Sequence, residues 1–113
     1  MAKYNLIALT NPLEGRDAEF NDWYTNEHLA DVLKLPGVTG AQRYRMSDVQ
    51  HRPGPFEWKY MAVYEIEIDD IKKTLSALSA ASGTDAMPLS PALSPDRMVW
   101  IYEPITDKVA KPA

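Results

Sequence analysis

Residues 57–68, EWKYMAVYEIEI, alternate along their whole length. Trp58, Tyr60, Ala62, Tyr64 and Ile66 fall on one face of an extended chain, and Lys59, Met61, Val63, Glu65 and Glu67 on the other. A period of two is incompatible with a helix and predicts a strand. Both faces carry apolar side chains, so both need at least partial cover. A strand of this kind belongs inside a sheet with something packed against each side.

The rest of the chain supplies the partners. Residues 3–9, KYNLIAL, form a short apolar run followed by Thr-Asn-Pro, which reads as a first strand ended by a turn. Helical periodicity runs from Gly15 to Leu33. Asp17 and Glu19 sit in its first turn, where the helix dipole favours negative charge; Lys34 marks its end and Pro36-Gly37 stops it. Residues 38–47, VTGAQRYRMS, read as a second strand, with Gln42, Tyr44 and Met46 opposed to Ala41, Arg43 and Arg45. After the turn-rich DVQHRPGPF comes the alternating strand. Asp69 or Asp70 then caps a second helix through IKKTLSALSAA, with Ile71, Leu75 and Leu78 on one side and Gly83 as its stop. The proline-rich TDAMPLSPALSPD follows, then a last strand at 97–103, RMVWIYE.

Strand, helix, strand, strand, helix, strand is the ferredoxin-like βαββαβ plan. It predicts an α+β domain over residues 1–105, with a four-stranded antiparallel sheet and both helices on one face. Residues 106–113, TDKVAKPA, make a polar tail. The sheet's other face keeps apolar side chains, and on a small domain such a face calls for a partner. A symmetric homodimer, sheet against sheet, is the economical solution.

Composition narrows the functions. A chain of 113 residues suits one domain. Its formal net charge of -4 and pI near 5.1 speak against nucleic acid or an anionic membrane as partner. There is no cysteine, which excludes disulfides, thiolate zinc sites and cysteine nucleophiles. The N-terminus does not read as a signal peptide, and no run approaches the roughly 18 apolar residues of a membrane span. A cytoplasmic protein is the default expectation. Ser90 and Ser94 lack the G-x-S-x-G setting of a hydrolase nucleophile, and Gly37, Gly40, Gly54 and Gly83 form no phosphate-binding fingerprint.

The chemistry concentrates in FNDWYTNEHLADVL, residues 20–33. At 100° per residue, Ala18, Leu29, Val32 and Leu33 form an aliphatic face, beside a stripe of Phe20, Tyr24, His28 and Leu35. A helix with two such faces is expected to border a cavity as well as a core. His28 is the natural general acid/base near neutrality. Tyr24, one turn earlier, is placed to hold a substrate oxygen, with Trp23 beside it. Asp31 is placed to orient the imidazole or contact the ligand. The alternative is a buried histidine satisfied by a carbonyl or by Asp31. Arg43 either binds a substrate carboxylate or phenolate or pairs with Glu65 or Glu67. Tyr60 and Tyr64, with Trp58 and Trp100, either line an aromatic pocket or fill core and interface. His51 is a loop histidine, at the cleft mouth or merely solvated. The two histidines are not at metal-ligand spacing, so no metal is expected. The loop 84–95 is long enough for a lid, although its prolines suit a rigid connector.

The pattern F-x-x-W-Y-x-x-x-H-x-x-D-V-L, formed by Phe20, Trp23, Tyr24, His28, Asp31, Val32 and Leu33, resembles the EthD-like branch of the dimeric α+β barrel superfamily. LPGVTGAQRYRM is similar to that family's Pro-Gly turn and second strand. Ala30 stands where relatives commonly have proline. The likeness in strand order spans residues 3–103; the specific motif is confined to residues 12–46. It implies a homodimer whose sheets close a barrel, with a cleft in each subunit between sheet and helices. The superfamily includes cofactor-free lactone isomerases, polyketide cyclases, quinone-forming monooxygenases and some haem enzymes, so it fixes fold far better than reaction. The expectation is a cofactor-independent isomerase, cyclase or lyase acting on an apolar oxygenated ring compound, with His28 moving the proton and Tyr24 holding the oxygen. One alternative is a non-catalytic ligand-binding or structural homodimer. Another is a haem-binding protein with His28 as axial ligand, or a cofactor-free monooxygenase.

Overall fold

The computed structural model describes residues 1–113, and its elements run β1 (Ala2–Pro12), α1 (Asp17–Trp23), a π-helical turn (Tyr24–His28), α2 (Leu29–Leu33), β2 (Val38–Arg45), β3 (Tyr60–Ile68), α3 (Ile71–Ala81) and β4 (Leu93–Tyr102). The strands form one antiparallel sheet in the order β2-β3-β1-β4. The alternating segment is thus an interior strand, as its two apolar faces require. This is the ferredoxin-like α+β arrangement.

Pairing register assigns the two faces. Leu6 lies opposite Tyr64 and Ile101, and Ala8 opposite Ala62 and Val99. This face is the helix-covered one: Leu6, Ala8, Ala62, Tyr64 and Ile66 are buried with Phe20, Trp23 and Val32. Each large apolar side chain buried here contributes about 1.5–3 kcal/mol. On the opposite face Ile7 lies beside Val63 and Trp100, and Leu9 beside Met61 and Met98. No element covers that strip, and Trp100 keeps 52% of its surface exposed.

α1, the π turn and α2 run on as one rod, because every junction residue between them is helical. The wide turn adds a residue relative to an α-helix, so the phase slips by roughly one residue's rotation, about 100°. Counting at a uniform 100° therefore misplaces residues across it. Ala18 and Leu33, expected on the aliphatic core face, are exposed. The buried set is Phe20, Trp23, Tyr24 and Val32.

Other boundaries also differ from the sequence expectation. β1 runs on to Pro12, and β4 starts at Leu93 inside the proline-rich segment, pairing there with Pro12 across a bulge. Trp58 falls outside β3, and Met46 and Ser47 fall outside β2. The connection before β4 is a packed wall and not a lid, since Met87 and Ala92 are buried and Ser82 bridges to Met87.

The helix ends behave as their residues dictate. The Asp70 carboxylate accepts a bond from the Lys72 N–H at 3.1 Å, a cap worth about 1 kcal/mol. The Thr74 hydroxyl donates to the Pro36 carbonyl at 2.7 Å and ties α3 to the turn after α2. In that turn Gly37 has φ +80°, and a Cβ there would meet the Cβ of Ile68 at 2.8 Å. No helix is long and apolar enough to cross a membrane.

Candidate active-site cleft

The helices cover β3 and β1 more fully than the edge strand β4. Val99 faces the helix side of the sheet yet remains 41% exposed. The gap over β1 and β4 is a cleft of about 240 Å³, closed on its sides by the π turn, α3 and the 84–92 connection. Ten of its fifteen lining residues are hydrophobic, Tyr24 and Tyr64 among them. Its polar groups are His28, Tyr24, Tyr64, Thr10, Arg97 and two α3-side serines, Ser79 and Ser82.

The π turn shapes this wall. It brings Trp23 and His28 into a stack with centroids 4.6 Å apart, and sets Tyr24 edge-on to the same imidazole at 4.8 Å. Phe20 packs behind them at 5.6 Å from Tyr24 and 6.1 Å from Trp23. The Trp23 indole N–H donates to the Pro88 carbonyl at 3.1 Å. The aromatic spacing of the F-x-x-W-Y motif thus holds the imidazole in place through three rings.

His28 Nδ1 is buried without a hydrogen-bond partner. Burial pulls the imidazole pKa down to about 4; the Asp31 carboxylate opposes the shift, and Arg97 and Arg43 add to it. At neutral pH His28 is therefore an uncharged imidazole. The Tyr64 hydroxyl donates to the Tyr24 oxygen at 3.2 Å, which leaves the Tyr24 proton free to point elsewhere. Burial raises the pKa of Tyr24, against the pull of the Tyr64 bond, Arg43 and Arg97. Tyr64 is raised too, by burial first and by Tyr24 next. Both are neutral phenols.

The expected site residues divide into two groups. His28, Tyr24, Trp23 and Tyr64 meet at the cleft wall. Asp31, Arg43 and Tyr60 do not line it. Asp31 approaches Lys34 at 3.8 Å and acts on His28 only through its charge. Tyr60 donates to Asp17 at 3.0 Å and accepts from Asn21 at 3.1 Å. Arg43 lies behind Tyr24, its guanidinium carbon 4.5 Å from that ring's centroid, and donates to Thr25 at 2.8 Å and Asn21 at 2.9 Å. Burial lowers its pKa, against the pull of the surrounding tyrosines. It does not pair with Glu65 or Glu67, because its register opposite Ala62 puts it on the helix face while those carboxylates lie on the other. His51 is exposed in the loop after β2 and lines no part of the cleft.

Arg97, Thr10, Leu78 and Leu89 line the cleft unanticipated. For Arg97 and Thr10 a signal existed: they pair across β1 and β4, and alternation places them with Val99 and Ala8. Reading it required knowing that those strands are neighbours.

No family model matches the sequence. Core atranone cluster (CAC) protein 1 of Stachybotrys chlorohalonatus is 34% identical over 64 residues, 55% of this chain. The chain spans about a quarter of the length of that curated relative, 25%. Among solved structures, an ethyl tert-butyl ether d (EthD) family protein of Bacillus halodurans superposes with a TM-score of 0.62 at 26% identity, over 91% of this chain and 99% of its own. The haem-degrader MhuD of Mycobacterium tuberculosis, with two haems bound in its active site, superposes with a TM-score of 0.60 at 20% identity, over 94% of this chain and 99% of its own, a likeness of fold alone. With the helix motif, the strand order and these superpositions together, the chain is EthD-like, with the ferredoxin-like fold of the dimeric α+β barrel proteins.

Proposed function

We propose that the protein is a cofactor-independent enzyme that moves a proton on an apolar, oxygenated ring compound held in the cleft. The observation that carries this is a neutral, unpartnered His28 set edge-on to Tyr24 in a mostly apolar wall. His28 takes a proton from a carbon beside a carbonyl, and the Tyr24 hydroxyl donates to the oxygen that becomes enolate. Tyr64 supports this by donating to Tyr24 from behind. The positive charge of Arg43, which disfavours an imidazolium, favours the enolate. Return of the proton to a different atom completes an isomerisation, a cyclisation or an elimination.

An imidazole with a pKa of about 4 is a weak base. It suits carbon acids activated by two carbonyls, or by a carbonyl and a ring that becomes aromatic. The test is deuterium wash-in at the C–H between the two carbonyls of cyclic β-keto esters in D₂O, followed by NMR. Wild-type protein accelerates exchange and His28→Ala does not; equal rates for the two proteins would remove the assignment and leave a ligand-binding or structural protein.

Two copies paired through the open sheet faces complete this reading. The strip of Ile7, Leu9, Met61, Val63, Met98 and Trp100 supports it, since a contiguous apolar face is a poor surface to leave in water.

A haem reading has less support. A neutral imidazole suits an axial ligand. A cleft of about 240 Å³ is nevertheless below the roughly 300–1,000 Å³ of ordinary ligand pockets, and does not fit a macrocycle.

A further inference from the structure

Arg97 stands at the cleft mouth, on the inward side of β4 opposite Thr10. It enters none of the four ion pairs in the chain. Asp96, its neighbour, borders the adjoining hollow together with it but is not paired to it. The cleft wall itself contains no carboxylate, in a chain with 16 acidic residues against 12 lysines and arginines. A guanidinium without a counter-ion at the rim of an apolar cleft is an open anion site. Its planar fork matches a carboxylate in two parallel hydrogen bonds. A single guanidinium beside aliphatic and aromatic walls suits a monoanion better than a phosphate, which takes more donors.

We infer that Arg97 selects the ligand, and that the ligand is a ring compound bearing a carboxylate. The ring lies against Trp23, Leu78 and Val99, and the carboxylate rests on the Arg97 guanidinium. This deepens the proton-transfer reading above and rests on it. It also links recognition to chemistry. Arg97 is one of the charges that keep His28 unprotonated. A bound carboxylate neutralises it, so the arriving ligand makes His28 a stronger base only when the correct anion is seated.

Two matched pairs of probes test this: benzoate with benzamide, and 2-naphthoate with 2-naphthamide. Binding is read from NMR shifts of the intact protein, together with the titration of the His28 ring. The chain has two histidines, so His51→Gln assigns the signals. The expected result is that at least one carboxylate binds about tenfold or more tightly than its amide. It also raises the His28 midpoint. Arg97→Gln loses that preference while binding the amide as wild type does, and its own His28 midpoint rises without ligand. Arg97→Lys retains part of the preference. Equal affinity for acid and amide, or a preference that survives Arg97→Gln, overturns the inference while leaving the cleft reading in place. Silence of the cleft signals to all four probes overturns both.

Discussion

The imidazole of His28 lies nearly flat on the indole of Trp23, their planes 28° apart. The two residues are five apart in the chain, a separation that a π turn brings into register and an α-helix does not. A charged imidazolium over an indole would gain cation–π attraction. Burial outweighs that here, and the consequence is measurable.

The first prediction concerns acid stability. The folded-state pKa of His28, about 4, lies below its ordinary value of 6.5. Between these values the unfolded chain binds a proton that the folded one refuses. His28 therefore costs nothing above pH 6.5, and stability falls as pH drops from 6.5 towards 4. The loss reaches about 2–3 kcal/mol near pH 4. Urea denaturation at pH 7 and pH 4.5 checks it: His28→Gln should flatten this part of the profile, and an unchanged profile would refute the shift.

Tyr24→Phe and Tyr64→Phe should separate chemistry from support. On the proposed mechanism Tyr24→Phe removes the proton donor, and it leaves the Tyr64 hydroxyl without its acceptor, so both turnover and stability should fall. Tyr64→Phe leaves the Tyr24 hydroxyl in place, costing about 1 kcal/mol in stability and a smaller share of turnover. Thermal melts and the deuterium exchange assay together read the two effects. The opposite order would place the reacting oxygen on Tyr64.

Trp100→Asp tests the open sheet face. Wild-type protein is expected to sediment as a dimer at micromolar concentration. The substitution puts a carboxylate beside Ile7 in the apolar strip and should weaken association at least about 100-fold, as loss of a central interface tryptophan does. A wild-type monomer at that concentration would refute the pairing.

Gly37→Ala tests the turn that seats the helical rod on the sheet. Both the positive φ and the 2.8 Å approach to Ile68 oppose a side chain there. A loss of about 2 kcal/mol is expected from chemical denaturation, with the cleft chemistry intact in the folded fraction. A wild-type denaturation midpoint would contradict the geometry.

Much of the architecture was legible because it depends on short-range patterns. The alternation of 57–68, the Pro36-Gly37 stop and the Asp70 cap each specify local geometry without reference to distant residues. What escaped was one local irregularity and the contacts between distant segments. The π turn carries no composition of its own and is invisible to a count at fixed angle, which turns Ala18 and Leu33 inward. Arg43 was legible as a strand residue, but its place behind Tyr24 follows from the pairing of β2 with β3. Arg97 needed the juxtaposition of β1 and β4, segments from opposite ends of the sequence. The pairing of His28 with Tyr24 was readable because the motif itself, four residues apart on one rod, brings them together.

The hydrogen bond from Trp23 to the Pro88 carbonyl has a further consequence. It couples the helical wall of the cleft to the segment that would otherwise be the natural gate. With Met87 and Ala92 anchored beside it, that segment is held before any ligand arrives. Shape selection is then set at folding and not at encounter. On the proposed reading, a compound that matches the walls would enter without waiting for a conformational change, and one a ring too large would find nothing that yields. A homologous series of increasing size should therefore show a sharp cutoff in affinity where an adaptable pocket would show a gradual decline.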